Sequence, residues 1–184
     1  MSIKLHFLGL LLCIAVGAVG ANAETLPYLN DSIDIEVRVE DALSRLTLEE
    51  KIAMIHAQSK FTSPGVPRLG IPDLAVNDGP QGVREELLWD KWDAAGQTND
   101  SCTAYPALMS VAASWNRDIA ALYGKSIGEE FRQRNKDVAL TPGINIYRHP
   151  LCGRNFEYMG EDPFLSGILA AEAVKGIQSN GVAA

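Results

Sequence analysis

Short apolar runs separated by helical segments constrain the fold of this 184-residue chain more than any other feature. Residues 74–76, 107–113 and 138–140 are each predicted to form a strand, because each is short, apolar and bounded by turn residues. Strands that alternate with helices favour a parallel sheet in an α/β protein. The last residues, 182–184, resemble the opening of a fourth strand that is not completed.

Four helices are predicted from apolar periodicity and from their starting residues. A short amphipathic helix covers residues 37–45, and a second begins at Thr47, where Thr47 and Glu50 have the spacing of a capping box. Asn116 is the expected N-cap of a helix over residues 117–134. A fourth helix begins at Asp162-Pro163 and ends at Asn180-Gly181.

The first 23 residues have the pattern of a secretory signal peptide. Lys4 precedes an apolar run over residues 7–19, and Ala21-Asn22-Ala23 is a small-residue cleavage pattern. The run is shorter than the roughly 18 residues that a membrane-spanning helix needs, which argues against the alternative of a retained anchor. We therefore expect cleavage after Ala23 and a periplasmic or secreted protein with no membrane attachment.

Composition excludes several other classes of function. The net charge is −7 with no run of Lys or Arg, which argues against nucleic acid as a partner. His56 and His149 are far apart in the sequence, and we expect no metal site and no cofactor. Cys102 and Cys152 could pair in an oxidising compartment or remain unpaired, and the sequence supports both alternatives.

Two polar stretches follow predicted strands, at residues 78–84 and 149–158. Asp78 can accept from two adjacent sugar hydroxyls, whereas Arg84 and Arg154 can each donate in a planar fork. Aromatic side chains that could face a sugar ring are Tyr147, Phe156 and Tyr158. The alternative is structural: Asp78 caps its turn, and Arg154 pairs with Glu157 or Glu161. The residues alone leave both interpretations open.

Several blocks in order resemble glycoside hydrolase family 3. They are LGIP at 69–72, NDGPQGVR at 77–84, TAYP at 103–106, ASWN at 113–116, PLCGRNFEY at 150–158 and GEDP at 160–163. The resemblance covers nearly all of the chain from Val37 onward. It implies that residues 24–184 form the first part of a (β/α)₈ TIM-type barrel, which is incomplete in this chain.

The resemblance also implies an activity and roles for three residues. Family members are retaining enzymes, which use a nucleophile and a general acid/base and pass through a covalent glycosyl-enzyme. By their match to the family motifs, Asp78 holds the outer hydroxyls of the non-reducing-end sugar, and Arg84 and Arg154 line the same subsite. We expect a β-linked oligosaccharide or glucoside as substrate and release of its terminal β-D-glucosyl residue.

The family's catalytic residues lie in later blocks, so we expect no catalytic residue and no activity in this 184-residue piece. Pairing Asp78 with Glu157 or Glu161 as the catalytic carboxylates is rejected, because the resemblance gives all three non-catalytic roles. Two alternatives remain: a β-N-acetylhexosaminidase or other glycosidase of the same family, and a non-catalytic sugar-binding remnant.

Overall fold

The computed structural model describes residues 26–97 and 101–184. The predicted signal peptide lies outside the described residues. The chain divides into two compact units, residues 1–45 and residues 46–184. The predicted domain start at residue 24 does not coincide with this division and stays a prediction.

The described part of the first unit is a 3₁₀ turn, Pro27–Leu29, followed by helix α1, Ile35–Arg45. Helix α1 begins two residues before its predicted start. The backbone N–H of Tyr28 donates to Asp41 Oδ2 at 3.2 Å, and Arg38 Nε donates to the Tyr28 carbonyl at 3.2 Å. These two bonds hold the turn against the helix.

In its described residues, 46–97 and 101–184, the second unit contains four helices and three short strands. The helices are α2 (Leu48–Met54), α3 (Leu108–Ala113), α4 (Arg117–Gln133) and α5 (Pro163–Gln178). The strands are β1 (Thr62–Ser63), β2 (Leu74–Asp78) and β3 (Val138–Leu140). Pro67–Leu69 and Asn155–Glu157 are 3₁₀ turns. The α/β character predicted from the sequence is confirmed.

The sheet has the order β1-β2-β3. Strand β1 is antiparallel to β2, whereas β2 and β3 are parallel, with Asp78 opposite Leu140 at their carboxyl ends. Ala183 forms a parallel bridge with Val138 on the other side of β3. This bridge agrees with the predicted start of a further strand at residues 182–184.

The starts of three helices are capped as the sequence predicted. Thr47 and Glu50 form both bonds of a capping box at α2. The side chain of Asn116 accepts from the backbone of Asp118 at 2.8 Å, and Asp162 accepts from Phe164 at 2.8 Å. Local sequence therefore decides where these helices begin.

The strand predicted at residues 107–113 is wrong, because the segment forms helix α3. Its buried side chains are Leu108, Val111 and Ala112, which recur at helical spacing. Ala, Leu and Met dominate the segment and are strong helix formers, with a single β-branched residue among them. The sequence also predicts that Ile52 of α2 faces inward, and this prediction is wrong, since Ile52 is exposed.

Helices α4 and α5 pack at unusually close range because glycines replace side chains at their contact. A Cβ added to Gly124 would lie 2.0 Å from the carbonyl oxygen of Ala173, and one added to Gly176 would lie 2.4 Å from that of Ala121. The sequence predicts one apolar stripe along α4, made of Ile119, Leu122, Tyr123, Ile127 and Phe131, and this prediction is confirmed in part. Tyr123, Ile127 and Phe131 are buried in the core, whereas Ile119 and Leu122 of that stripe are exposed.

Candidate functional site

The carboxyl ends of β2 and β3 open into a pocket of about 650 Å³. All three predicted site residues line it: Asp78 at the end of β2, Arg84 in the loop that follows, and Arg154 in the long loop after β3. In α/β folds with parallel strands, ligands bind outside the carboxyl ends of the strands. The structure therefore brings the predicted residues together at the expected edge of the sheet.

Asp78 and Arg84 form an ion pair in which Arg84 Nε donates to Asp78 Oδ1 at 2.5 Å. This hydrogen bond raises the pKa of the Arg84 guanidinium above its ordinary value. The guanidinium also lies over the ring of Phe61, 6.0 Å from its centroid. Among the described residues no protein group donates to the second oxygen of Asp78, which leaves that oxygen available to a ligand.

The backbone that carries this pair is fixed by a buried amide. The side chain of Asn77 donates to the Arg84 carbonyl at 3.0 Å, and its Oδ1 accepts from the Asp78 N–H at 2.8 Å. The Arg84 N–H in turn donates to the Asp78 carbonyl at 3.0 Å. The two ends of the loop are thereby held together, so the ion pair rests on a defined backbone.

Two glycines make this loop possible. Gly79 has φ +124° and Gly82 has φ +146°, backbone conformations that side chains rarely adopt. A Cβ on Gly79 would lie 1.7 Å from the Gly82 carbonyl oxygen, and one on Gly82 would lie 2.4 Å from the Thr103 carbonyl oxygen. The loop is therefore folded tightly on itself and against the segment that contains Thr103.

Arg154 is paired with Glu157 within the same loop, its Nε donating to Glu157 Oε1. The bond raises the pKa of the Arg154 guanidinium. The Glu157 side chain is 11% exposed and that of Arg154 is 72% exposed. Of the two partners considered from the sequence, Glu157 is the one observed. The roles of Asp78, Arg84 and Arg154 in sugar binding stay a prediction.

Two polar side chains that were not singled out from the sequence connect the site to its surroundings. Gln81 Nε2 donates to the Phe156 carbonyl at 3.0 Å, which joins the loops after β2 and β3. The hydroxyl of Tyr123 donates to the Pro80 carbonyl at 2.5 Å, and burial raises the pKa of Tyr123 to about 12. Gln81 lies in the motif at 77–84, but its partner is 75 residues away, so sequence spacing gave no signal.

The predicted aromatic residues are arranged differently from one another. Tyr158 lines the pocket, whereas Phe156 borders a neighbouring depression of about 500 Å³. Tyr147 donates to the Tyr158 carbonyl at 2.9 Å. Trp92 also lines the pocket, a place that was not predicted from the sequence. The sequence did contain a sign of this place, because the polar segment at residues 85–100 carries two tryptophans, Trp89 and Trp92.

The part of the chain that the structure describes holds neither a cluster of metal ligands nor a helix that could cross a membrane. In residues 26–97 and 101–184 no three His, Cys, Asp or Glu side chains cluster as a metal site would require. Within the same ranges no helix is both long and apolar enough to cross a membrane. Cys102 and Cys152 are both exposed and are not joined by a disulfide.

The structure is that of an α/β protein whose parallel strands end at a pocket lined by acidic, basic and aromatic side chains. Residues 71–184 match the family model described as the glycosyl hydrolase family 3 N terminal domain. The chain therefore belongs to glycoside hydrolase family 3, which confirms the resemblance stated from its motifs.

Individual relatives agree with this membership. The chain is 60% identical over 168 residues to "Beta-glucosidase BoGH3A" of Bacteroides ovatus. The aligned residues make up 91% of this chain and 22% of that protein. It is 40% identical over 141 residues to "Exo-alpha-(1->6)-L-arabinopyranosidase" of Bifidobacterium longum, which covers 74% of this chain and 18% of that protein.

A solved structure gives the same result. The structure of β-glucosidase 3B from Thermotoga neapolitana in complex with glucose matches this one with a TM-score of 0.68 and 40% sequence identity. The match covers 78% of this chain and 22% of that chain. The chain thus spans about a fifth of the length of the relatives that it matches.

Proposed function

We propose that this chain forms the non-reducing-end sugar subsite of a retaining β-glucosidase. One observation carries the proposal: Asp78, Arg84 and Arg154, which come from two different strand ends, line one pocket. The parallel pairing of β2 with β3, and the bridge from β3 to Ala183, support a (β/α)₈-type barrel as the fold of the whole enzyme.

The contacts of the three residues suit recognition of sugar hydroxyls. The Asp78 carboxylate can accept from two adjacent hydroxyls, while the remaining guanidinium N–H groups of Arg84 and Arg154 donate. The arginines are held by Asp78 and Glu157, so their donors are oriented before the sugar arrives. Prior orientation reduces the entropy lost on binding.

The same pairing argues against a catalytic role for these carboxylates. Asp78 is bound to Arg84 and Glu157 to Arg154, so the negative charge of each is already engaged by a guanidinium. In each pair a carboxylate oxygen already accepts a guanidinium hydrogen bond, so that oxygen is not free to attack carbon. We therefore place the nucleophile and the acid/base of the whole enzyme in the segments by which the longer relatives extend beyond the part that matches this chain. The 184-residue chain alone should not hydrolyse an aryl β-glucoside.

The test uses Asp78→Asn and Arg154→Met in a protein that contains this chain together with the segments that extend its relatives. Asp78→Asn removes the charge of a hydrogen-bond acceptor, and Arg154→Met removes a charged donor. A hydrogen bond to a charged group contributes about 1.5–3 kcal/mol, so kcat/KM should fall about 10- to 150-fold. Arg117→Met is the matched control. Arg117 is 65% exposed and paired with Glu172, much as the 72%-exposed Arg154 is paired with Glu157, but it lies outside the pocket.

Melting temperature and kcat/KM are measured on the same samples. Lower stability with unchanged kcat/KM in both site variants would assign Asp78 and Arg154 to bracing the loops, which is the structural alternative. A fall in kcat/KM that Arg117→Met shares equally would also contradict the proposal.

The sugar itself is tested with a panel of substrates, because relatives that match this chain bear different names. Aryl β-D-glucoside, aryl α-L-arabinopyranoside and aryl N-acetyl-β-D-glucosaminide are compared at equal concentration. The 60% identity to a β-glucosidase favours the glucoside. Preference for the N-acetylated sugar would support the hexosaminidase alternative. Binding of glucose without turnover in the longer protein would support a sugar-binding remnant.

We further propose that the protein is exported, with cleavage after Ala23. The proposal rests on Lys4, the apolar run at residues 7–19 and the small residues before the cleavage point. N-terminal sequencing of protein from the periplasm or medium should begin at Glu24. An intact Met1 in that fraction would contradict it.

A further inference from the structure

The residues proposed to hold the sugar stand on two separate loops. The loop after β2 carries the ion pair of Asp78 with Arg84. The loop after β3 carries the ion pair of Arg154 with Glu157. A subsite built from two loops is only as precise as the contacts that hold those loops at a fixed separation. The contacts that join the two loops therefore bear directly on sugar binding.

Gln81 joins the two loops directly through its side chain. Its Nε2 donates to the Phe156 carbonyl at 3.0 Å. That carbonyl belongs to the peptide group that Phe156 shares with Glu157, so the bond fixes the backbone from which the Glu157 side chain extends. The Glu157 carboxylate in turn accepts from Arg154 Nε. A chain of contacts therefore runs from Gln81 to the Arg154 guanidinium.

The backbone of Gln81 is anchored, so its side chain can act as a spacer of fixed length. The Gln81 carbonyl accepts from the Tyr105 N–H at 2.8 Å. The carbonyl of the preceding residue, Pro80, accepts from the Tyr123 hydroxyl at 2.5 Å. Burial raises the pKa of Tyr123 to about 12, so this hydroxyl remains a donor at neutral pH. Because the turn is held in this way, a shift of the loop after β3 must stretch the bond from Gln81 to Phe156.

Gln81 lies behind the sugar pocket rather than in it. It is not among the described residues that line the pocket of about 650 Å³. It borders instead the neighbouring depression of about 500 Å³, together with Phe156. Asp78, Arg84 and Glu157 line both, so they form the wall between the two. Loss of the Gln81 bond would therefore free the loops without removing a contact to the sugar.

We propose that Gln81 is a positioning residue for the sugar subsite, which sets how far the Arg154 guanidinium lies from the pair of Asp78 and Arg84. This inference rests on the proposed function and names a residue that acts on the sugar only through Arg154. Without the Gln81 bond the substrate itself must order the loop after β3, and the cost of that ordering is subtracted from the free energy of binding. The ground state and the transition state lose the same binding, so KM should rise while kcat changes little.

The experiment measures kcat and KM for an aryl β-D-glucoside in the longer protein described above. In Gln81→Met, which keeps the side-chain length and removes the donor, KM should rise about 2- to 13-fold, the effect of one neutral hydrogen bond. KM does not depend on the fraction of protein that is folded, so a general loss of active protein cannot produce this result. Gln81→Lys restores a donor at similar reach and should recover much of the wild-type KM.

A double-mutant cycle separates positioning from a general structural effect. If Gln81 acts through Arg154, Gln81→Met should raise KM in the wild-type background and leave it unchanged in Arg154→Met. Gln58→Met is the matched control. Gln58 Nε2 likewise donates to a side chain on another segment, Asp73 at 2.7 Å, but Gln58 is not among the described residues that line either depression. That variant should keep the wild-type KM.

Three results would overturn the role of Gln81 while leaving the proposed function intact. They are an unchanged KM in Gln81→Met, an equal change in Gln58→Met, and the same rise in KM with and without Arg154. If the wild-type protein binds glucose without turnover, the dissociation constant for glucose, measured by calorimetry, replaces KM in the same cycle. If the wild-type protein neither hydrolyses the glucoside nor binds glucose, the proposed function fails, and the role of Gln81 fails with it.

Discussion

Gly124 lies where helix α4 touches α5, and its replacement by alanine gives the sharpest test of the fold. Its φ does not fall in the positive range, so alanine suits the backbone conformation, and helix propensity alone would favour Gly124→Ala by about 1 kcal/mol. Packing opposes the change. The new Cβ would lie 2.0 Å from the Ala173 carbonyl oxygen, whereas ordinary contact begins at 3.4 Å.

The magnitude follows from those two distances. The difference, 3.4 − 2.0 = 1.4 Å, must be recovered by moving a helix, because the atom it meets is backbone and cannot rotate away. Overpacking of a core costs about 1–3 kcal/mol, and a backbone clash belongs at the upper end. Subtracting the propensity gain leaves a net loss of about 2 kcal/mol in the free energy of unfolding.

Gly167→Ala is the control within α5, since nothing lies within 4 Å of the position of its Cβ. That variant should gain about 0.5–1 kcal/mol from helix propensity. Thermal and urea unfolding of both variants in one protein background give the comparison. Equal stabilisation of the two would refute the close packing of α4 on α5 at Gly124.

Three further outcomes are expected. The hydrogen bonds from Arg68 and from the backbone hold the pKa of Glu50 at about 2, below its unfolded value near 4.3. The stabilising effect of the Glu50 carboxylate is therefore present above about pH 4.3 and is lost as the pH falls toward 2. The free energy of unfolding of Glu50→Gln should accordingly change less than that of the wild type across this pH range. Tyr123→Phe removes the hydrogen bond to Pro80 and should lower unfolding free energy by about 1 kcal/mol, measured by urea titration. Gly82→Ala should weaken glucose binding in calorimetry, because its Cβ would meet backbone at 2.4 Å and displace the loop.

Local signals in the sequence predicted the helix starts well. The capping residues Thr47, Asn116 and Asp162 act on backbone groups two or three residues away, so their effect is contained in the sequence around them. The short strand at residues 138–140 was likewise bounded by turn residues on both sides. Residues 107–113 carried no comparable signal, since a short apolar run suits a strand and a buried helix equally.

The contacts within the candidate site were predicted in part, for a related reason, while the sugar-binding roles of its residues stay a prediction. Asp78 and Arg84 lie six residues apart in one motif, and their ion pair is a local contact. The contact of Gln81 with the Phe156 carbonyl spans 75 residues and depends on how β2 and β3 pair. Trp92 reaches the pocket because its loop folds back toward Phe61, which no periodicity describes. Tertiary contacts of this kind were beyond single-sequence reasoning.

The close helix contact and the proposed sugar subsite are mechanically connected through adjacent residues. Gly124 sets the depth at which α4 packs, and the next residue toward the N-terminus, Tyr123, donates to the Pro80 carbonyl in the loop that carries Asp78 and Arg84. If α4 rather than α5 takes up the 1.4 Å displacement, the shift is larger than a 2.5 Å hydrogen bond tolerates, so it moves Pro80 or breaks that bond. Either result alters the orientation of the Asp78–Arg84 pair. Gly124→Ala should therefore weaken sugar binding as well as stability. Tyr123→Phe releases the loop without moving the helix, so comparing the two variants should separate the effect of losing the hydrogen bond from the effect of displacing the helix.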